Sequence, residues 1–147
     1  MSPHFKTNDK QIQDWLNSPY KKNTKHPENL IHKTASGHFV RSKSEALIDL
    51  ALYTNKIPFR YECALELENI ILYPDFTIMH PITMEIYYWE HFGKMDDFLY
   101  RQNTGSKLQT YCVNKILPNV NLIVTFETQD SPLSSQEVQE IIEHYFK

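Results

Sequence analysis

Glycine is scarce in this chain, with three residues in 147. Loops that cradle phosphates need several glycines at fixed spacing, so the scarcity argues against a glycine-rich nucleotide loop. Cysteine is scarcer still. Cys63 and Cys112 are far apart in sequence and form no metal-type pair. A reducing, cytoplasmic setting is the expectation. No run approaches the roughly 18 apolar residues of a membrane span. The N-terminus is polar and offers no secretory leader. No membrane partner is therefore expected. Internal repeats, low-complexity runs and heptads are also missing.

What is present suffices for a core. Apolar residues make up 41% and aromatics 13%, and 147 residues fit one domain. The net charge of -3 hides an asymmetry. Residues 1–43 carry eight Lys/Arg against three acids, a balance of +5. The remainder has seven basic and fifteen acidic residues, a balance of -8. A basic leading segment points to a polyanionic partner. It is equally the composition of a solvated arm without a ligand. Residues 1–40 read as a basic, irregular arm with one short helix, Gln11 to Leu16, stopped near Ser18-Pro19. A turn is expected at Pro27. The abrupt start suggests a piece of a longer protein.

Residues 41–147 read as the folded domain. Ser42-Lys43-Ser44-Glu45 matches a capping box and opens a helix that Asn55 and Pro58 end. Phe59–Leu67, Leu72–Met79 and Glu85–Phe92 read as three strands with short connections, hence an antiparallel meander. Asp96 or Asp97 caps a second helix, interrupted near Gly105 and ended by Pro118-Asn119. Asn121–Glu127 is a continuous apolar strand, covered on both sides. Ser134-Ser135-Gln136-Glu137 caps an amphipathic last helix. The expected class is α/β with a mixed central sheet.

Two acids interrupt the apolar strands. Asp75 lies in Tyr73-Pro74-Asp75-Phe76, and Glu90 fifteen residues later in Trp89-Glu90-His91-Phe92-Gly93. A buried charge is costly unless it is paired or binds a cation. If the two strands pair around the Pro81 turn, alternation brings both carboxylates onto one face. Oxygen-only ligands favour Mg²⁺ or Mn²⁺. Glu45 is either a capping residue or a third acid of the same site. Plain alternatives for the pair are a turn-capping aspartate after Pro74 and a strand-end glutamate. The arm histidines His26, His32 and His38 have no zinc-like spacing.

Ser42 to Glu45, Tyr73-Pro74-Asp75 and Glu90-His91-Phe92-Gly93 together resemble the PD-(D/E)XK nuclease superfamily. The Glu-His-Phe-Gly ending is similar to a subgroup appended to some superfamily I helicases. It is more similar still to uncharacterised proteins of Firmicutes and their phages. The resemblance covers about residues 30–147. It implies a restriction-endonuclease-like core of helix, three-stranded meander, helix, strand and helix. It also implies Mg²⁺-dependent hydrolysis of nucleic-acid phosphodiesters, DNA being the expected polymer, in a bacterial or phage cytoplasm. Asp75 and Glu90 would hold the metal, helped by Glu45 and the carbonyl at position 91. A homodimer is compatible with it.

The resemblance has a gap. The family's lysine belongs two residues after the second acid, where this chain has Phe92. His91, Lys94 and Lys107 are the candidate replacements, with Lys107 preferred because the following helix can supply it. The expected catalytic set is Glu45, Asp75, Glu90, His91 and Lys107. The expected nucleic-acid contacts are Lys21, Lys22, Lys25, Arg41 and Lys43, with Lys94 and Tyr111 nearer the acids. The alternative is a degenerate nuclease fold that binds nucleic acid or a protein partner.

Overall fold

A computed structural model describes residues 3–147, with side chains from residue 9 onward. Four α-helices surround a mixed four-stranded sheet among these residues. The leading segment forms α1 (Pro3–Asn17), a 3₁₀ turn at Pro27–Asn29, and a short hairpin of β1 (His32–Lys33) and β2 (Phe39–Val40). It is thus more ordered than its composition implies, and its helix starts well before Gln11. No helix among the described residues is long and apolar enough to cross a membrane.

Helix α2 (Lys43–Thr54) starts where expected, with Ser42 Oγ accepting the Glu45 N–H at 3.1 Å. Asn55 caps its end. The chain then enters β3 (Phe59–Tyr61), β4 (Leu65–Glu66), β5 (Ile71–Leu72), β6 (Phe76–Met79) and β7 (Ile86–Phe92). Helix α3 (Phe98–Val113), β8 (Leu122–Phe126) and α4 (Ser135–Phe146) complete the order. The sheet runs β3-β6-β7-β8. The first two pairings are antiparallel, and β7–β8 is parallel. A parallel pair needs a crossover, and α3 supplies it.

Two expected strands are each cut in two. Glu62 adopts φ 51°, a left-handed conformation that costs a non-glycine residue of order 1 kcal/mol or more. Its bonds hold it there. The carboxylate takes a two-pronged ion pair from Arg41, and its N–H donates to the Asp75 carbonyl at 3.0 Å. Strand Phe59–Leu67 therefore breaks after Tyr61. Strand Leu72–Met79 breaks at Pro74, which has no N–H to give a ladder. The freed pieces, β4 and β5, make their own hairpin.

Alternation along the strands sorts the core onto two faces. Ile48 and Leu52 of α2 and Val138, Ile142 and Phe146 of α4 cover Phe59, Phe76, Ile78, Trp89 and Ile123. On the other face Tyr111 of α3 packs with Leu122, and Tyr88, Val124 and the β4–β5 leucines close around them. Trp89, Tyr87 and Tyr88 thus belong to the packing of the sheet.

Helix α3 also corrects two expectations. It passes through Gly105 unbroken, and it ends at Val113 instead of Pro118. Lys115 at φ 63° turns the chain there. Gly105 faces solvent, and a Cβ at that position would meet nothing within 4 Å. Glycine in an exposed helix interior is worse than alanine by roughly 0.8–1 kcal/mol. Gly105→Ala is accordingly expected to raise Tm by about 2–4 °C in a calorimetric scan. A fall in Tm would mean that this face of α3 is not solvent-exposed helix.

Candidate metal and phosphodiester site

The β6–β7 register pairs Phe76 with Trp89. One step further, Asp75 stands opposite Glu90. Directly opposed residues share a face with Cβ atoms about 5 Å apart, so the two carboxyls are neighbours. The His91 N–H donates to Asp75 Oδ2 at 2.7 Å. In a strand, the N–H and C=O of one residue point to the same side, so the His91 carbonyl shares the Asp75 side. Glu45 arrives from α2 across the sheet edge. All three acids line one cavity of about 220 Å³, together with Phe92, Tyr100 and Lys107.

Helix α3 clasps Glu90 from the side. Lys107 Nζ donates to Glu90 Oε2 at 2.9 Å, and the Tyr111 hydroxyl donates to Oε1 at 2.9 Å. The two are one turn apart, which puts them on the same helix face. Glu45 Oε1 accepts the Tyr61 hydroxyl at 2.5 Å and the Arg41 N–H at 3.0 Å. The capping box is therefore half made. Ser42 serves as the cap, but the Glu45 carboxylate reaches beyond the Ser42 N–H, to Arg41 and Tyr61.

The electrostatics follow from burial. Burial raises the Asp75 carboxyl well above the ordinary range, and the charges of Glu90 and Glu45 raise it further. Burial likewise raises Glu90, against the pull of Lys107 and Tyr111. Glu45 is raised by burial despite its bonds from Tyr61 and Arg41. Burial works against the Lys107 ammonium, but the Glu90 and Asp75 charges outweigh it and hold its pKa above the usual lysine value. Lys107 therefore stays cationic, suited to stabilising negative charge and unsuited to acting as a base. Burial and the Glu90 charge push Tyr111 up, so it remains a donor.

A divalent cation suits this set in charge. Three carboxylates against one ammonium leave two negative charges when all are ionised. No group of three or more His, Cys, Asp or Glu side chains poised as metal ligands is present among the described residues. The fit rests on the donor chemistry of Asp75 and Glu90, since Mg²⁺ is commonly held by one or two carboxylates and waters.

Each predicted residue has a definite place. Phe92 occupies the strand position where the family pattern has lysine, and it stacks on Phe126 at 5.7 Å between ring centroids. Of the three candidate replacements, Lys107 meets Glu90. The His91 ring points away, with Nδ1 at 2.8 Å from Thr125 Oγ1 and Nε2 at 2.6 Å from Glu127 Oε1. Trp89 Nε1–H donates to the same Thr125 hydroxyl. Thr125 Oγ1 and Glu127 Oε1 thus hold the imidazole at both ring nitrogens. Lys94 is exposed and lines a second, adjoining cavity of about 780 Å³.

One expected nucleic-acid contact is corrected, and a second has its charge already engaged. Tyr111 is 0% exposed and cannot touch a polymer. Arg41 spends its guanidinium on Glu62 and on the carbonyls of Lys25 and His26. It ties the leading segment to the end of β3. Lys43 lines the larger cavity, whereas Lys21, Lys22 and Lys25 stand outside it. Tyr61, Thr125 and Glu127 were not singled out from sequence. Glu127 carried a readable signal, because it closes an apolar strand as Glu90 does. Burial works to raise its carboxyl, but the hydrogen bonds of Ser44 and His91 hold it below its usual value.

No protein-family model, curated protein or solved structure matches the chain.

A carboxyl with a raised folded-state pKa binds its proton more tightly folded than unfolded. Its effect on stability is nil in acid and turns destabilising as pH rises through the window between the two values. Asp75 therefore weakens the metal-free protein progressively from about pH 4 upward. Burial lowers His38, which acts in the opposite sense near pH 6, so the parent curve alone is not diagnostic. The difference between parent and Asp75→Asn is diagnostic. In EDTA, urea midpoints should favour the variant by a margin that grows with pH. A margin that shrinks with pH would mean that Asp75 is not a charge-burdened group.

Proposed function

We propose that α2, β3, β6, β7, α3 and β8 form a restriction-endonuclease-like core. We further propose that the protein is a metal-dependent nuclease hydrolysing phosphodiester bonds in nucleic acid. One observation carries this reading: Asp75 opposes Glu90 across the β6–β7 pair while Lys107 reaches Glu90 from α3.

The chain's residues divide the work. Asp75 and Glu90, with the His91 carbonyl, offer oxygens to Mg²⁺ or Mn²⁺. Such an ion, when bound, activates water and neutralises phosphate charge. Glu45 adds negative charge from the α2 side and, with Tyr61, closes the inner wall. Lys107 keeps its proton and faces the phosphate oxygens that gain charge in the transition state. Phe92 and Tyr100 limit water around the acids.

A second reading has its own support. Both Glu90 oxygens already accept bonds from Lys107 and Tyr111. A domain in that state binds nucleic acid or a protein partner without cutting. The two readings part in a cleavage assay. As an enzyme, the parent cuts single- or double-stranded nucleic acid in Mg²⁺ or Mn²⁺ and stops in EDTA. Asp75→Asn and Glu90→Gln should each lower the rate by 10³-fold or more, and Lys107→Ala by about 10²–10³-fold, the usual loss when one charge-stabilising donor is removed. Parent protein inert in both metals, or Asp75→Asn cutting as fast as the parent, would rule out the nuclease reading.

A further inference from the structure

The cavity of about 780 Å³ meets the carboxylate site along Glu45, His91 and Tyr100, which line both. Its walls come from the leading segment, the entry of α2 and the turn after β7. Lys43 and Lys94 stand in different walls, both exposed and neither with an ion-pair or hydrogen-bond partner for its ammonium among the described residues. They are the available cations here, because the Arg41 charge is held by Glu62. Ile31, 68% exposed, adds an apolar surface to the leading-segment wall.

Resting on the nuclease reading above, we propose that this cavity is the substrate groove and that it takes one single strand of nucleic acid. Its volume falls within the roughly 300–1,000 Å³ typical of sites that enclose one small ligand. That is room for one or two nucleotide units of a strand. Lys43 and Lys94 bind the phosphates flanking the scissile one. Ile31 packs on a sugar or base, and the Tyr100 ring, at the junction of the two cavities, stacks on the base beside the cut. The strand enters between the Lys43 and Lys94 walls and passes its phosphate to the Asp75–Glu90 edge. Glu45 and Glu127 also line the cavity and Arg41 is paired with Glu62, so the unpaired positive charge is two separated lysines, with no broad basic face for two backbones at once. The groove reads phosphate and stacking, which DNA and RNA strands share.

The test is fluorescence anisotropy on the full chain in EDTA, where metal-dependent cutting is silent. The probes are a labelled 12-mer deoxy strand, its ribo counterpart and a 12-base-pair DNA duplex. The parent should bind at least one single strand ten-fold or more tighter than the duplex. The Lys43→Ala/Lys94→Ala double variant should lose about ten-fold. Its dependence of log K on log salt should flatten by roughly 1.4, two phosphate contacts at about 0.7 each on a single strand. Lys10→Ala, on exposed α1, should match the parent, and thermal melts of all variants establish that they fold. Equal or tighter binding of duplex overturns the proposal, as does a folded double variant that binds like the parent. Its failure is distinguishable from that of the nuclease reading. Lysine-dependent strand binding without any Mg²⁺-dependent cleavage supports the groove and ends the enzyme. Cleavage that ignores both lysines does the reverse.

Discussion

Two carboxyls face each other across an antiparallel strand pair, and much of the structure answers to that placement. Asp75 and Glu90 stand where burial opposes ionisation of both, and the Glu90 charge opposes it further at Asp75. Such a pair persists only if other groups hold it. The Lys107 ammonium and Tyr111 hydroxyl grip Glu90, and the His91 amide grips Asp75. Those bonds fix how α3 must lie on the sheet. The helical course of α3 beyond Gly105 keeps Lys107 and Tyr111 one turn apart and aimed at the same acid.

The opposite face secures the strand ends that carry the pair. The His91 ring is held between Thr125 and Glu127, and Trp89 bonds the same Thr125. The end of β7 is therefore pinned to parallel β8 on one side while its backbone addresses Asp75 on the other. Glu62, Arg41 and the Asp75 carbonyl form a second brace where β3 breaks. Local strain at Glu62 is offset by an ion pair that also anchors the leading segment. The segment in turn supplies part of the wall beside the acids.

Much of this was legible in the sequence for physical reasons. The serine caps at Ser42 and Ser134, the aspartate cap at Asp97 and the strand alternation in Ile86–Phe92 are local signals, and the elements follow them. The pairing of Asp75 with Glu90 followed from a short turn and a period of two. What the sequence did not reveal depends on non-local geometry. Nothing local announces that Glu62 will turn left-handed, because its reason is Arg41, twenty-one residues away. Tyr111 reads as an aromatic near a site, but its burial depends on how α3 crosses the sheet. Glu127 pairs with His91 only through the parallel register of β7 and β8, which no turn specifies.

The most direct measurement is calorimetric titration of Mn²⁺ into the parent and into Glu90→Gln, near neutral pH and in two buffers of different ionisation enthalpy. The parent should show one saturable site, with heats that differ between buffers, because cation binding drives protons off carboxyls whose pKa burial has raised. Glu90→Gln should show no saturable site. A parent that binds no Mn²⁺, or a variant that binds it equally well, would contradict a cation site built on the Asp75–Glu90 pair.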